Sequence, residues 1–416
     1  MIKLAILIMI ILLIVAAKIT KQDFFSPAVI NIYWNAFFVI CAVILFGNGI
    51  EWEYEGIFWI ILSCFCFLIG QIYGQKIKIC ENHYRERKVG NYINVILFVL
   101  VIISLINPYI YIKEFGYSVW DIFDLNKLLK INADIAYDRY IGHQFQGSAI
   151  QTLISIIMYF SAIVGGYCFN YQKKNKEKIL CVIVIMPTML LTIITNAKLA
   201  VIASVFLWGT GWILSFINLN GDNIALNKKM IMLGIAILIV GIGFFDIAML
   251  MRYGGINAET QKIANLKLQE YIFGQIQAFT IWFKNTDRRS YTLGGSTYMF
   301  IPNWLGISTK IQGVYEPLTD TGTNIFTQNR GIIEDFGVVG GLIYWIVLGF
   351  FAGITYKKIK KRAQNTGVIL ILGGIYFSIL HGFMISPWVY SSYVLAFVGF
   401  GVFLVVLKYV NINFKR

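Results

Sequence analysis

The chain has 416 residues, of which 58 % are hydrophobic, 16 % aromatic and only 13 % charged. A soluble globular domain carries roughly 25 % charged residues, so a water-facing fold is excluded, as are disorder, coiled coil, collagen and a small disulfide scaffold. The net charge of +14 raises nucleic-acid binding as a possibility, which the placement of the charges then argues against.

Eleven apolar stretches run along the chain: residues 2–17, 28–47, 57–73, 92–112, 149–169, 179–195, 199–217, 230–250, 336–356, 367–384 and 389–407. Most approach the ~20 residues that a helix needs to cross the hydrocarbon layer at about 1.5 Å per residue. None alternates with period two, which disfavours an outer-membrane barrel. The expectation is an all-α polytopic membrane protein with about eleven transmembrane helices in one transmembrane domain, residues 1–416. Val15, Ala16 and Ala17 would suit signal cleavage after the first stretch. Its removal would set the polarity of the second stretch against every later loop, so it is kept as a helix.

Alternate loops differ in charge. Twenty-one of the 35 Lys and Arg residues lie on one set of short segments, among them Lys76, Lys78, Arg85, Arg87 and Lys88, and the run from Lys357 to Arg362. The other side holds 14, eight of them in one long loop, together with Glu51, Glu53 and Glu55. Basic short loops stay cytoplasmic. This predicts an inner membrane protein with its amino terminus outside and its carboxyl terminus cytoplasmic, and it accounts for the basic excess without nucleic acid.

Two outer segments exceed a simple turn. Residues 113–147 carry Asp121, Asp124, Lys127, Lys130, Asp134, Asp138, Arg139 and His143, with Ile122, Leu125, Leu128 and Leu129 at helical spacing. That pattern predicts a peripheral helix along the outer face. The second segment, residues 251–333, begins with Ile263, Leu266, Ile272, Ile276, Phe279 and Phe283 at three- and four-residue steps, which predicts an amphipathic helix. The remainder is rich in Gly, Thr and Asn and in aromatics such as Tyr291, Tyr298 and Trp304. Loops this long are functional or disordered, and the aromatics argue against disorder.

Ionisable groups within spans are costly, by at least ~2.5 kcal/mol at the centre, and are functional candidates. Lys198 sits in the turn Asn196-Ala197-Lys198, Asp246 precedes Arg252 at the end of the eighth stretch, Arg330, Glu334 and Asp335 enter the ninth, and His381 ends the tenth. Each has a plainer reading. Lys198 can snorkel to the headgroups, Asp246 can pair with Arg252 or Lys198, the two carboxylates can favour a helix start, and His381 can be a satisfied interfacial residue. Six cysteines and three histidines are scattered without metal-ligand spacing, so no metal or other cofactor is expected. Cations with carboxylates on one leaflet suit a lipid-linked diphosphate and a hydroxyl acceptor, because guanidinium forks match phosphate oxygens. An anion transporter or flippase would share that inventory, although transporters usually show internal repeats.

From Thr323 through Arg330 to Gly341, with Glu334-Asp335-Phe336-Gly337 opening a span, the chain resembles the bacterial oligosaccharide repeat unit polymerases, the Wzy-type O-antigen and capsule polymerases. The polytopic layout, the Asn196-Ala197-Lys198 turn and the long penultimate outer loop are also similar, although many relatives have arginine where this chain has Lys198. The resemblance implies a glycosyltransferase C-type (GT-C) membrane fold and metal-independent sugar transfer from undecaprenyl diphosphate to a lipid-linked repeat unit. A flippase and a chain-length regulator are the partners it suggests, and a glycan ligase on the same fold is the alternative activity. The expected roles are diphosphate binding by Arg252, Arg330 and Lys198, guidance by Arg288 and Arg289, and sugar stacking by aromatics such as Tyr298, with Asp246 nearby. The expected base is Asp335, Glu334 or His381, in that order. Adjacent carboxylates on one helix point about 100° apart, so Glu334 and Asp335 do not form a glycosidase pair.

Overall fold

The computed structural model describes residues 2–45, 53–79, 92–138, 148–222, 224, 228–252, 258–285, 291–307, 325–362 and 365–413. Its elements are α1 (Ile2–Ile19), α2 (Pro27–Leu45), α3 (Tyr54–Lys76), α4 (Tyr92–Glu114), α5 (Leu125–Tyr137), α6 (Ala149–Phe169), α7 (Asn175–Ile183) and α8 (Met186–Thr195). They continue with α9 (Lys198–Asn220), α10 (Lys228–Arg252), α11 (Ala258–Asn285), α12 (Phe300–Trp304), α13 (Gln328–Lys360), α14 (Thr366–His381) and α15 (Ser391–Asn413). No strand occurs among the described residues.

Among the described residues each of the eleven apolar stretches lies largely on helix. Seven segments among the described residues are long and apolar enough to cross a membrane, namely α3, α4, α6, α7 with α8, α9, α13 and α15, and α2 and α14 contain shorter apolar runs. The chain is a polytopic α-helical membrane protein. On α4 the exposed side chains Val95, Phe98, Ile102, Leu105 and Tyr109 recur every three or four residues. Such a stripe is stable against lipid tails, which are as apolar as leucine.

The contacts divide the chain into two compact units, the first made of Met1–Arg85, Ile217–Ala225 and Gln269–Val394, the second of Glu86–Phe216, Leu226–Leu268 and Leu395–Arg416. In the first unit α3 and α13 meet through glycines. A Cβ on Gly70 would fall 2.0 Å from the Ile346 carbonyl oxygen and one on Gly74 2.1 Å from that of Phe350. Reciprocally, Gly349 meets Phe67 O at 2.1 Å and Gly353 meets Gln71 O at 2.2 Å. With no hydrophobic drive between helices in lipid, this close approach supplies dispersion and weak Cα–H···O bonds instead. At one end of α13 the Asp23 carboxylate accepts from Lys360 Nζ at 3.0 Å, from the Tyr356 hydroxyl and from Phe25 N–H at 3.1 Å.

In the second unit α4, α6 and α8 pack together, and α5 docks on α4 and α8 through Ile131 and Ile135, which bury against Ile112 and Ile194. The Asn132 amide donates to Ile193 O at 2.6 Å. The peripheral segment is therefore broken rather than continuous. A 3-10 turn over Val119–Phe123, capped by Ser118, precedes α5, which Asp124 caps by accepting from Asn126 N–H at 2.9 Å. Leu125, expected on the apolar face, is exposed, because the docking face starts later, at Ile131. Arg139 and His143 lie outside the described residues. On α11 the helix forms as expected, and the expected face is buried only in its second half. Ile263 and Leu266 are exposed, whereas Ile276, Phe279, Trp282 and Phe283 are buried.

Candidate functional site

The ninth apolar stretch does not open a helix; it follows a break inside one. Helical geometry runs from Gln328 and resumes after Gly337, whose φ of 74° and ψ of 175° interrupt it. Glycine reaches this φ without strain, and a Cβ there would also lie 2.6 Å from Tyr291 Cε1. The break is closed by the turn around Leu293 and Gly294, which have φ of 48° and 97°. Thr292 N–H donates to Glu334 O at 3.1 Å and Leu293 N–H to Asp335 O at 3.3 Å.

Asp335 completes the clamp. Its fully buried carboxylate accepts from Ser296 N–H at 2.8 Å, from Thr297 N–H at 2.6 Å and from the Thr292 hydroxyl. The acidic-Phe-Gly element thus binds a neighbouring turn to a broken helix. The turn reaches the next segment as well, since Ser386 Oγ donates to Thr297 O at 2.8 Å. Tyr298 packs on α13, with its hydroxyl 3.1 Å from that of Tyr344, and burial pushes its phenol up from the usual range. Beside the turn an open groove of about 470 Å³ runs along α13, lined by Tyr291, Leu293, Asp335, Phe336, Gly340, Ile343, Tyr344 and Val347.

Arg330 is 8 % exposed. Its Nε donates to Glu334 Oε1 at 2.8 Å, and its guanidinium lies 4.2 Å from the Phe326 ring centroid and 5.4 Å from that of Trp282. A desolvated cation over aromatic faces gains about 2 kcal/mol, which helps to hold the charge in an apolar setting.

His381 is fully buried at the end of α14, between Phe377 and Tyr393, with ring centroids 5.4 and 5.6 Å away. Its Nδ1 lies 2.9 Å from Ile385 O. A carbonyl only accepts, so Nδ1 carries a proton, and in the neutral imidazole Nε2 is then a bare lone pair. That lone pair is buried without a hydrogen-bond partner. Gln328 N–H donates to Gly382 O at 2.8 Å and so joins the start of α13 to the residue after His381.

The structure therefore brings Arg330, Glu334, Asp335, Tyr298 and His381 into one unit, and places Lys198, Asp246 and Arg252 in the other. Lys198 opens α9 behind Asn196, a left-handed residue with φ of 57°, and its Nζ rests against Met249 Sδ. The partner found for Asp246 is the Gln261 amide, at 3.2 Å. Arg252 is the last residue of α10. Arg288 and Arg289 lie outside the described residues, as do Thr323 and Asn324. Sequence reasoning missed Thr292, Ser296 and Thr297 as the clients of Asp335, and Thr327 and Asn329 as buried polar residues. The Gly294-Gly295 turn so close to hydroxyl residues was their one visible signal. Among the described residues no cluster of three His, Cys, Asp or Glu side chains is arranged to hold a metal. No protein-family model, curated protein or solved structure matches the chain.

Proposed function

We propose that this protein is a polysaccharide polymerase of the Wzy type, with a GT-C fold of about eleven spans, its amino terminus outside and its carboxyl terminus in the cytoplasm. It extends O-antigen, capsule or exopolysaccharide at the outer face of the bacterial plasma membrane. The growing glycan leaves undecaprenyl diphosphate and joins the non-reducing end of a newly flipped lipid-linked repeat unit. A flippase supplying that unit and a chain-length regulator are its expected partners.

The observation that carries this reading is a buried guanidinium and an unengaged imidazole lone pair in one compact unit, Arg330 and His381 Nε2. A diphosphate is a good leaving group, so positioned cations can supply the catalysis, and one such contact is worth ~3 kcal/mol. A guanidinium carries five N–H donors, enough for a carboxylate and a phosphate at once, so the pairing of Arg330 with Glu334 is compatible with donor binding.

In the transfer step the acceptor hydroxyl oxygen bonds to the anomeric carbon, the bond from that carbon to the diphosphate oxygen breaks, and the hydroxyl proton passes to a base. The geometry reorders the candidate bases. Asp335 is engaged by three donors and Glu334 by Arg330, whereas His381 Nε2 has no partner. His381 is therefore the base of this mechanism, Asp335 a positioning residue.

Purified protein given lipid-linked repeat units tests the reading. A ladder of longer glycans supports polymerisation, transfer to a different acceptor indicates a ligase, and lipid movement across liposomes without chain growth indicates a flippase. Arg330→Ala should abolish chain growth while leaving membrane insertion intact. Normal chain lengths in that variant would remove the diphosphate assignment.

A further inference from the structure

Several side chains of the first unit are buried with a polar atom that makes no hydrogen bond. Thr297 Oγ1, Thr327 Oγ1, Asn329 Oδ1 and His381 Nε2 are four of them, and each residue is at least nine-tenths buried. They come from three chain segments that bond to one another at these same places. Thr327 and Asn329 flank Gln328, whose N–H donates to Gly382 O beside His381, and Thr297 O accepts from Ser386 Oγ. Thr327 occupies the N-cap position of α13 yet makes no capping bond with its side chain, although capping is the usual employment of a threonine there. Buried polar atoms are nearly always paired, and a cluster of exceptions calls for a missing partner.

The chemistry of the four atoms selects that partner. Nε2 in the Nδ1–H tautomer and Asn329 Oδ1 only accept, while the two threonine hydroxyls accept or donate. An anion would face two lone pairs, so phosphate is disfavoured here. The matching ligand is neutral and offers O–H donors. From this we infer that Thr297, Thr327, Asn329 and His381 form a subsite for the hydroxyl groups of a neutral sugar, the acceptor side of the reaction, separate from the cationic residues that hold the diphosphate. The inference rests on the reading of the chain as a glycan-extending enzyme.

The orphaned state gives the test an unusual sign. Removing a buried hydroxyl that has no partner relieves a desolvation cost, so Thr297→Val and Thr327→Val should raise the melting temperature of the sugar-free protein by about 2 °C. The same substitutions should weaken sugar binding by about tenfold each, and Thr297→Ser and Thr327→Ser should restore it. The binding readout is the imidazole spectrum of protein labelled with 13C and 15N at histidine. The chain has only three histidines, and His381→Gln assigns the relevant signal. Methyl glycosides of glucose, galactose and N-acetylglucosamine are added at millimolar concentration, with sodium pyrophosphate as the anionic control.

The expected result is an Nδ1–H tautomer whose Nε2 signal moves with at least one glycoside and not with pyrophosphate, and moves less in the valine variants. No movement with any glycoside, in a preparation that does extend lipid-linked glycans, overturns the subsite and leaves the polymerase standing. Movement with glycosides in a protein that extends nothing keeps the subsite and removes the polymerase. Valine variants that melt lower, with the His381 signal unmoved by sugars, show that water fills the cluster, and the inference fails.

Discussion

Asp335→Asn separates a clamp from a base. In the native protein both carboxylate oxygens accept backbone N–H groups, from Ser296 at 2.8 Å and Thr297 at 2.6 Å, and the Thr292 hydroxyl adds a third bond. Asparagine keeps one acceptor oxygen and places an NH2 group where the other stood, so at least one backbone N–H then confronts a donor. Hydrogen bonds to a charged group contribute about 1.5–3 kcal/mol each. Losing one and weakening a second removes about 3 kcal/mol from docking of the turn, which multiplies its opening by about 150. Amide exchange of a peptide covering residues 291–299, measured in nanodiscs by mass spectrometry, should accelerate by that order, with peptides from α3 and α6 unchanged. Chain growth should fall as a consequence. If exchange in the turn stays within about threefold of wild type while activity collapses, the carboxylate acts on the substrate and the clamp reasoning is wrong.

Two further outcomes follow from geometry elsewhere. Gly353→Ala should destabilise the protein by about 1–3 kcal/mol, because its Cβ would sit 2.2 Å from Gln71 O, a backbone atom that cannot swing away. Gly209→Ala, whose Cβ meets nothing within 4 Å, is the control and should be neutral or stabilising; equal melting temperatures for the two would refute the close-packing account. The bond from the Tyr117 hydroxyl to Asp134 pushes the phenol up to about 12. A folded value above the ordinary ~10 means that the bond stabilises fully below that pH and is lost as pH rises towards the folded value. The 295 nm absorbance difference between wild type and Tyr117→Phe should therefore titrate near the higher value, and a transition at the ordinary phenol value would contradict the bond.

The helices were legible because low charge over 17 or more residues leaves a chain few other ways to satisfy its backbone in lipid. How those helices meet was not. Gly70 and Gly74, and Gly349 and Gly353, stand four residues apart in the sequence, but spacing alone does not say which helix approaches or that carbonyl oxygens lie 2.0 to 2.2 Å from the missing Cβ positions. Periodicity likewise found α5 and α11 but drew their buried faces too wide: Ile276, Phe279 and Phe283 are buried and Ile122 packs on the core, as the spacing predicts. Apolar side chains at Leu125, Ile263 and Leu266 remain exposed, because a peripheral helix has two apolar surroundings, protein and lipid, and the pattern cannot separate them.

The candidate site shows a deeper limit. Residue type states what a group can do, whereas its function depends on the valences its neighbours leave over. Asp335 was the preferred base because it is acidic and starts a span, but the left-handed turn at Leu293 and Gly294 delivers donors to both of its oxygens. His381 ranked last as a lone histidine at a helix end, yet the chain doubles back so that Ile385 O accepts a hydrogen bond from Nδ1–H and Nε2 is left without a partner. Neither outcome is written in local spacing, since the donors to Asp335 come from 38 to 43 residues away. A break at Gly337 ties the two together. It frees carbonyls for the turn, the turn holds Thr297, and Thr297 O meets Ser386 in the segment that orients His381. On this argument a β-branched residue at Gly337 would abolish the proposed chain growth without touching a reacting atom, by forcing out Tyr291 and with it the turn that Asp335 secures.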